Sequence, residues 1–201
     1  MKVRIILIVL SLPMLVGFSL NHVTDSNENP SPGWLIANTF YPEHLAGAFT
    51  GGFNEPSCHS CHFDYDLNKS EGNLSITGIE SIITPSLKIQ INVSVTRPDL
   101  GKAGFQITSR YDDGTQAGHF QLNENVSLTP NTPGDIAYLQ HAVGNVEPSV
   151  SKKTWSFIWT APDTIKSDSI IFNIAANAAN GDASEFGDWI YVQEIEVKTE
   201  R

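Results

Sequence analysis

Cys58-His59-Ser60-Cys61-His62 is the stretch whose residue types and spacing could do chemistry unaided. It reads Cys-x-x-Cys-His, the attachment sequence for c-type haem. Two thiols three positions apart can add to the two vinyl groups of one haem. The histidine directly after the second thiol then falls under the iron and binds it axially. The expectation is one haem c, with Cys58 and Cys61 as thioether anchors and His62 on the iron. The chain has only these two cysteines. A four-ligand zinc centre would want a second pair, and a thioredoxin-like redox pair would want a βαβ context that is not visible. A surface disulfide, or two idle thiols in a loop, is the plain alternative.

The other side of the iron decides what such a haem does. The only methionines, Met1 and Met14, lie in the apolar leader, so a His/Met pair is excluded from the mature chain and the potential should be lower than such a pair gives. A second histidine or an open site remains. His44 comes first, because the loop from it to Cys58 carries Gly47, Gly51 and Gly52 and is long enough to cross a haem edge. His141 and His119 follow. His59 sits inside the motif and points poorly for the opposite face, and His22 lies in a linker. Low-spin bis-histidine iron, His44 opposite His62, is the expected state. Asp182, Glu185 and Asp188 share a Gly/Asn-rich loop but lack the spacing of a calcium loop and read as an ordinary turn. No nucleophile triad and no phosphate-binding loop can be picked out. The chain is not read as an enzyme, and peroxidase-like activity at an open haem is the third reading.

Positioning these residues falls to a chain of 201 residues, 40% hydrophobic and 17% charged, which suits a globular protein. Lys2 and Arg4 precede a mostly apolar run from Ile5 to Val16, with small Gly17 and Ser19 ahead of Leu20. That is the pattern of an export signal over 1–19, cleaved after Ser19. The apolar run is short for a spanning helix, so no stable membrane insertion is expected after cleavage. Export to a periplasm or to the medium also suits thioether or disulfide chemistry. The net charge is −10, and loss of Lys2 and Arg4 makes the mature chain two units more negative. Such a surface repels nucleic acid and suits solubility or a basic redox partner protein.

Residues 20–33 are polar and read as a linker. Residues 34–78 are loop-like, deliver the chain to the motif and form the haem-binding extension. Period two then begins. In 87–96 every odd residue is aliphatic and every even one polar, a strand with one buried face. Further strands are read at 104–110, 119–122, 136–143, 154–160, 169–175 and 189–197, with turn clusters between them. Trp155, Phe157 and Trp159 share one face and predict an aromatic core. Strands at this spacing, without a helical period, indicate a β-sandwich over 79–201.

The ordered set Ala103-Gly104-Phe105-Gln106, Gln116-Ala117-Gly118, His141, Trp155 to Pro162, Ala176 to Asp182 and Gly187-Asp188-Trp189-Ile190-Tyr191 resembles the Reeler (reelin-type) sandwich. It is more similar still to exported bacterial relatives, of choice-of-anchor type, that carry Cys-x-x-Cys-His ahead of the sandwich. The resemblance covers roughly 47–191. It implies an all-β, immunoglobulin-like antiparallel sandwich with a loop-rich haem-binding extension, and no catalytic residues. It also implies that relatives without haem hold a histidine like His141. The sorting domain of many relatives has no counterpart here, so a free exported protein is expected, either an electron carrier or an extracellular binding, adhesion or gas-sensing module.

Overall fold

The computed structural model describes residues 47–129 and 134–200. The expected leader and linker, with His22 and His44, lie outside the described residues. Alternating sequence becomes strand. β1 (Asn73–Thr77), β3 (Lys88–Thr96), β8 (Lys152–Thr160) and β5 (His119–Gln121) form one sheet in the order β1-β3-β8-β5. β2 (Ile82–Ile83), β10 (Trp189–Thr199), β9 (Ser169–Ala179), β4 (Lys102–Arg110), β7 (Leu139–His141) and β6 (Val126–Leu128) form the second, in the order β2-β10-β9-β4-β7-β6. The two sheets make an all-β sandwich.

Three features differ from the sequence reading. β1 lies inside the stretch assigned to the extension and pairs with β3, so the sandwich begins before residue 79. Short β2 and β6 carry no sequence signal long enough to read. β2 also runs parallel to β10, against the antiparallel expectation. Its neighbours in sequence, β1 and β3, belong to the other sheet. The chain therefore crosses the sandwich to reach β2 and enters that edge running the same way as β10.

The aromatic face of β8 fills the space between the sheets. Trp155, Phe157 and Trp159 are buried there with Phe105 and Phe172. The Phe105 ring centroid lies 4.8 Å from that of Trp155, and Trp159 meets Phe172 edge-on at 5.1 Å. Burial of this size dominates the energetics of such a core. Trp159 Nε1 donates to Ser109 Oγ at 2.9 Å, so the indole carries no unpaired donor into the interior.

The sheets differ in how much of them is covered. β3 alternates buried and wetter residues along its length, as a strand with one solvated face should. β4 and β9 are buried on both faces over most of their length. Residues 47–62 lie on the outer face of the larger sheet. Four outward side chains on β4 and β9, Gln106, Arg110, Asn173 and Asn177, meet them.

Candidate functional site

Each of those four side chains holds a different part of the extension. Gln106 donates to Gly47 O at 2.9 Å and accepts from Phe49 N at 2.7 Å. The amide thus continues a backbone ladder that the sheet face cannot supply. From Thr50 to Ser57 the chain makes a tight hairpin, with Gly51 N donating to Pro56 O at 3.0 Å and Glu55 N to Gly52 O at 2.9 Å. Phe53 and Asn54 at its tip both have positive φ, 51° and 62°, as type I′ turns require. That backbone is unfavourable for phenylalanine, but its ring is occupied, lying 4.8 Å from the Arg110 guanidinium.

Behind the hairpin, Glu55 enters a buried pocket. Its carboxylate accepts from Arg110 Nη2 and from Tyr138 Oη, and from Thr50 Oγ1 at 3.1 Å. Burial and the bond to Glu55 push the Tyr138 hydroxyl well above its ordinary value, so it is a permanent donor.

The hairpin delivers Cys58, His59 and Ser60 as one turn of 3₁₀ helix, entered through Ser57, whose side chain accepts from His59 N. Cys61 N and His62 N both return to Cys58 O, at 3.3 and 3.1 Å. Both cysteines are thiols. Burial pushes Cys58 up to about 12, against a backbone hydrogen bond that lowers it, and the Cys61 charge adds to the rise. A redox-active Cys-x-x-Cys pair needs the opposite, a depressed thiol.

His62 is the best-defined group of the motif. Its Nδ1 lies 2.8 Å from Asp188 Oδ2, with the two side chains 30% and 1% exposed. An ionised carboxylate only accepts, so Nδ1 carries the proton, and in the neutral ring Nε2 holds the lone pair. Asn177 Nδ2 donates to the same carboxylate oxygen at 3.0 Å, and Asn180 N donates to the other at 3.1 Å. Burial pushes the Asp188 carboxyl up. The bonds from His62, Asn177 and Asn180 outweigh it and hold the group below the ordinary carboxylate range.

After His62 the chain carries exposed rings, Phe63 and Tyr65, alternating with exposed Asp64 and Asp66. Phe63 is 59% exposed and meets the half-exposed Phe186 at 6.0 Å. Tyr65 stands edge-on to Trp189 at 6.4 Å. Gly187 N donates to Asp64 Oδ2 at 3.0 Å, fastening the loop before β10 to the chain after the motif. Arg97, at the end of β3, holds the same loop from beneath. It donates to Ala178 O and Gly187 O and stacks 4.1 Å over Trp189.

The other described histidines have partners of their own. His141 ends β7, its Nδ1 3.2 Å from Phe105 N and its ring 6.3 Å from Trp155. Burial holds it below the ordinary histidine value. Its ring also covers Gly104, which pairs with Asn177 across the β4–β9 ladder, and Asn177 Nδ2 lies 3.3 Å from His62 Nδ1. His119 belongs to β5, at the edge of the other sheet. His59 Nε2 is 2.9 Å from Tyr65 O, within its own loop. Asp182 accepts from Ser184 N and Asn180 Nδ2 while Asp188 faces inward, so the three loop carboxylates do not converge as calcium ligands.

Among the described residues no three His, Cys, Asp or Glu side chains are grouped to hold a bare metal ion. Haem makes a different demand, since it brings four nitrogens of its own and asks the chain for one or two. A turn presenting two thiols, a histidine whose Nδ1 bonds a buried carboxylate, and adjoining exposed rings fit that demand. Asp188 was legible only as one carboxylate in a Gly/Asn loop. Its partnership with His62 spans too much sequence for spacing to show.

No protein-family model matches the chain, and no curated protein matches it. The solved Reeler domain of human F-spondin is similar, with 15% identity over 67% of this chain and 92% of that one and a TM-score of 0.46. A second structure of that region, the Reelin-N domain of F-spondin, has 15% identity, coverage of 71% and 97%, and a TM-score of 0.49. AvmM, which catalyses macrocyclization in alchivemycin A biosynthesis, has 15% identity, coverage of 66% and 90%, and a TM-score of 0.41. These are likenesses of fold. Among the described residues no helix is long and apolar enough to cross a membrane.

Proposed function

We propose that the protein is an exported monohaem c-type, cytochrome-like electron carrier, with haem held by Cys58, Cys61 and His62. The observation that carries this reading is the 2.8 Å His62 Nδ1–Asp188 bond in a motif that also presents two thiols. When bound, haem supplies one-electron chemistry at iron. The chain supplies the rest. Ser57 caps the turn that presents the thiols, Asp188 and Asn177 orient the imidazole, and Phe63 and Phe186 offer exposed rings. The role is electron transfer rather than catalysis. The acidic surface suits a basic redox partner in a periplasm or the medium.

His44 is the proposed distal ligand, which would saturate the iron and suit electron transfer. A second reading, gas sensing or ligand binding at an open iron, is favoured by the position of His119 at the edge of the other sheet and by the bond that already occupies His141 Nδ1. The test is the full chain produced in a host that assembles c-type haem. The expected product carries the added mass of one haem that acid-acetone does not extract, and its ferric spectrum is low-spin. His44→Ala should turn that spectrum high-spin and let carbon monoxide bind the ferrous form quickly. A chain without covalent haem would overturn the proposal. A high-spin spectrum in the unmutated protein would move it to the second reading.

A further inference from the structure

We infer that Asp188 is a positioning residue that sets the electron affinity of the site through His62. This inference rests on the haem reading above and goes beyond it, because the motif itself says nothing about residue 188.

The carboxylate is built in rather than incidental. It is 1% exposed and 2.8 Å from His62 Nδ1. Both of its oxygens are fixed, one by Asn180 N and the other by Asn177 Nδ2. Asn177 holds this orientation although its own Oδ1 is buried without a partner. Turning the amide over would set its oxygen against the Asp188 carboxylate, which lies 3.0 Å from Nδ2. The arrangement therefore favours the Asp188–His62 pair at the expense of Asn177. Arg97, whose Nη1 donates to Gly187 O, is already paired with Asp99 at 2.5 Å, so its charge is directed elsewhere.

A charge-assisted bond in a dry setting is strong. It pulls the Nδ1 proton toward Asp188 and makes Nε2 a more basic donor, as carboxylate partners of metal-bound histidines do. A more basic axial nitrogen stabilises the ferric over the ferrous state, so Asp188 should hold the midpoint potential down.

The test is the midpoint potential of the matured full-length protein, titrated with dithionite and ferricyanide in the presence of mediators. Asp188→Asn keeps the shape and removes the charge. It should raise the ferrous-to-ferric ratio at a fixed potential tenfold or more, a rise of about 59 mV for a one-electron couple. The ferric electron paramagnetic resonance g-values should shift with it. Glu185→Gln removes an exposed carboxylate three residues away in the same loop and should leave both readouts in place. If Asp188→Asn does not mature, the unmutated ferrous protein still decides the matter. Its His62 Nδ1 proton should exchange slowly with solvent by proton NMR. Haem present with an unmoved midpoint, or with a fast-exchanging Nδ1 proton, overturns this inference alone. Absence of covalent haem overturns the electron-transfer reading as well.

Discussion

Glu55 and Arg110 meet where the extension lands on the sheet, and both side chains are almost fully buried. Arg110 also donates to Tyr138 Oη at 2.6 Å, and its Nε has no partner. A buried pair of this kind is costly to break from one side, because the surviving charge is left without compensation. Glu55→Ala should therefore destabilise by ~3–5 kcal/mol, measured by urea unfolding, and Arg110→Ala by a similar amount. The double variant Glu55→Ala/Arg110→Met should cost clearly less than the two together, since neither charge is then stranded. Additive losses would mean that each residue acts through separate contacts. None of this was legible in the sequence. Glu55 precedes the motif by three residues and Arg110 ends a strand 55 residues further on, with no spacing rule to join them. The motif was legible because its chemistry lies within five consecutive residues.

At the scale of single elements, period two was readable wherever one face stays wet. β3 and β8 show it, and their register sets Ile91 opposite Phe157 and Asn92 opposite Ser156. β8 also gives the sharpest test of the sheet. Trp159→Ala should cost ~3–5 kcal/mol, as aromatic truncations in cores do, because the indole is buried against Phe172. Ser156→Ala loses an exposed bond to Asn92 Oδ1 and should cost far less. Equal melting shifts for the two variants would mean that the faces are assigned wrongly. β1 was missed because Asn, Ser and Thr alternate there with only Leu74 and Ile76, between Gly72 and Gly78, which read as a turn. β9 was read as ending at Ala175 but runs to Ala179. Alanine and asparagine are poor strand formers, and here tertiary packing overrides that preference. Small or amide side chains are what the extension needs to lie close to the sheet.

For the whole molecule, the consequence is a sandwich with one dry outer face, and the dry face is where the motif sits. The site is thus held by the rigid middle of a sheet rather than by a free loop, which favours a fixed geometry. The extension packs tightly on the sheet at Gly52. A Cβ built there would overlap the Asn173 amide, which is itself buried and donates to Glu194 Oε2 at 2.8 Å. Asn173 has no room to yield without losing that bond, so Gly52→Ala must lift the hairpin. Overpacking of this sort typically costs ~1–3 kcal/mol, and the strain should fall on the extension rather than on the core. Limited proteolysis of Gly52→Ala should cut within 47–66 much faster than in the unmutated protein, while the melting of the sandwich moves little. Amide hydrogen exchange at Asn68, whose N–H donates to Ile190 O at 2.9 Å, should speed up as the following segment loosens. If 47–66 resists protease as before, the extension does not depend on close packing against β9. The position of the motif would then rest on its polar contacts, the Glu55–Arg110 and His62–Asp188 pairs among them.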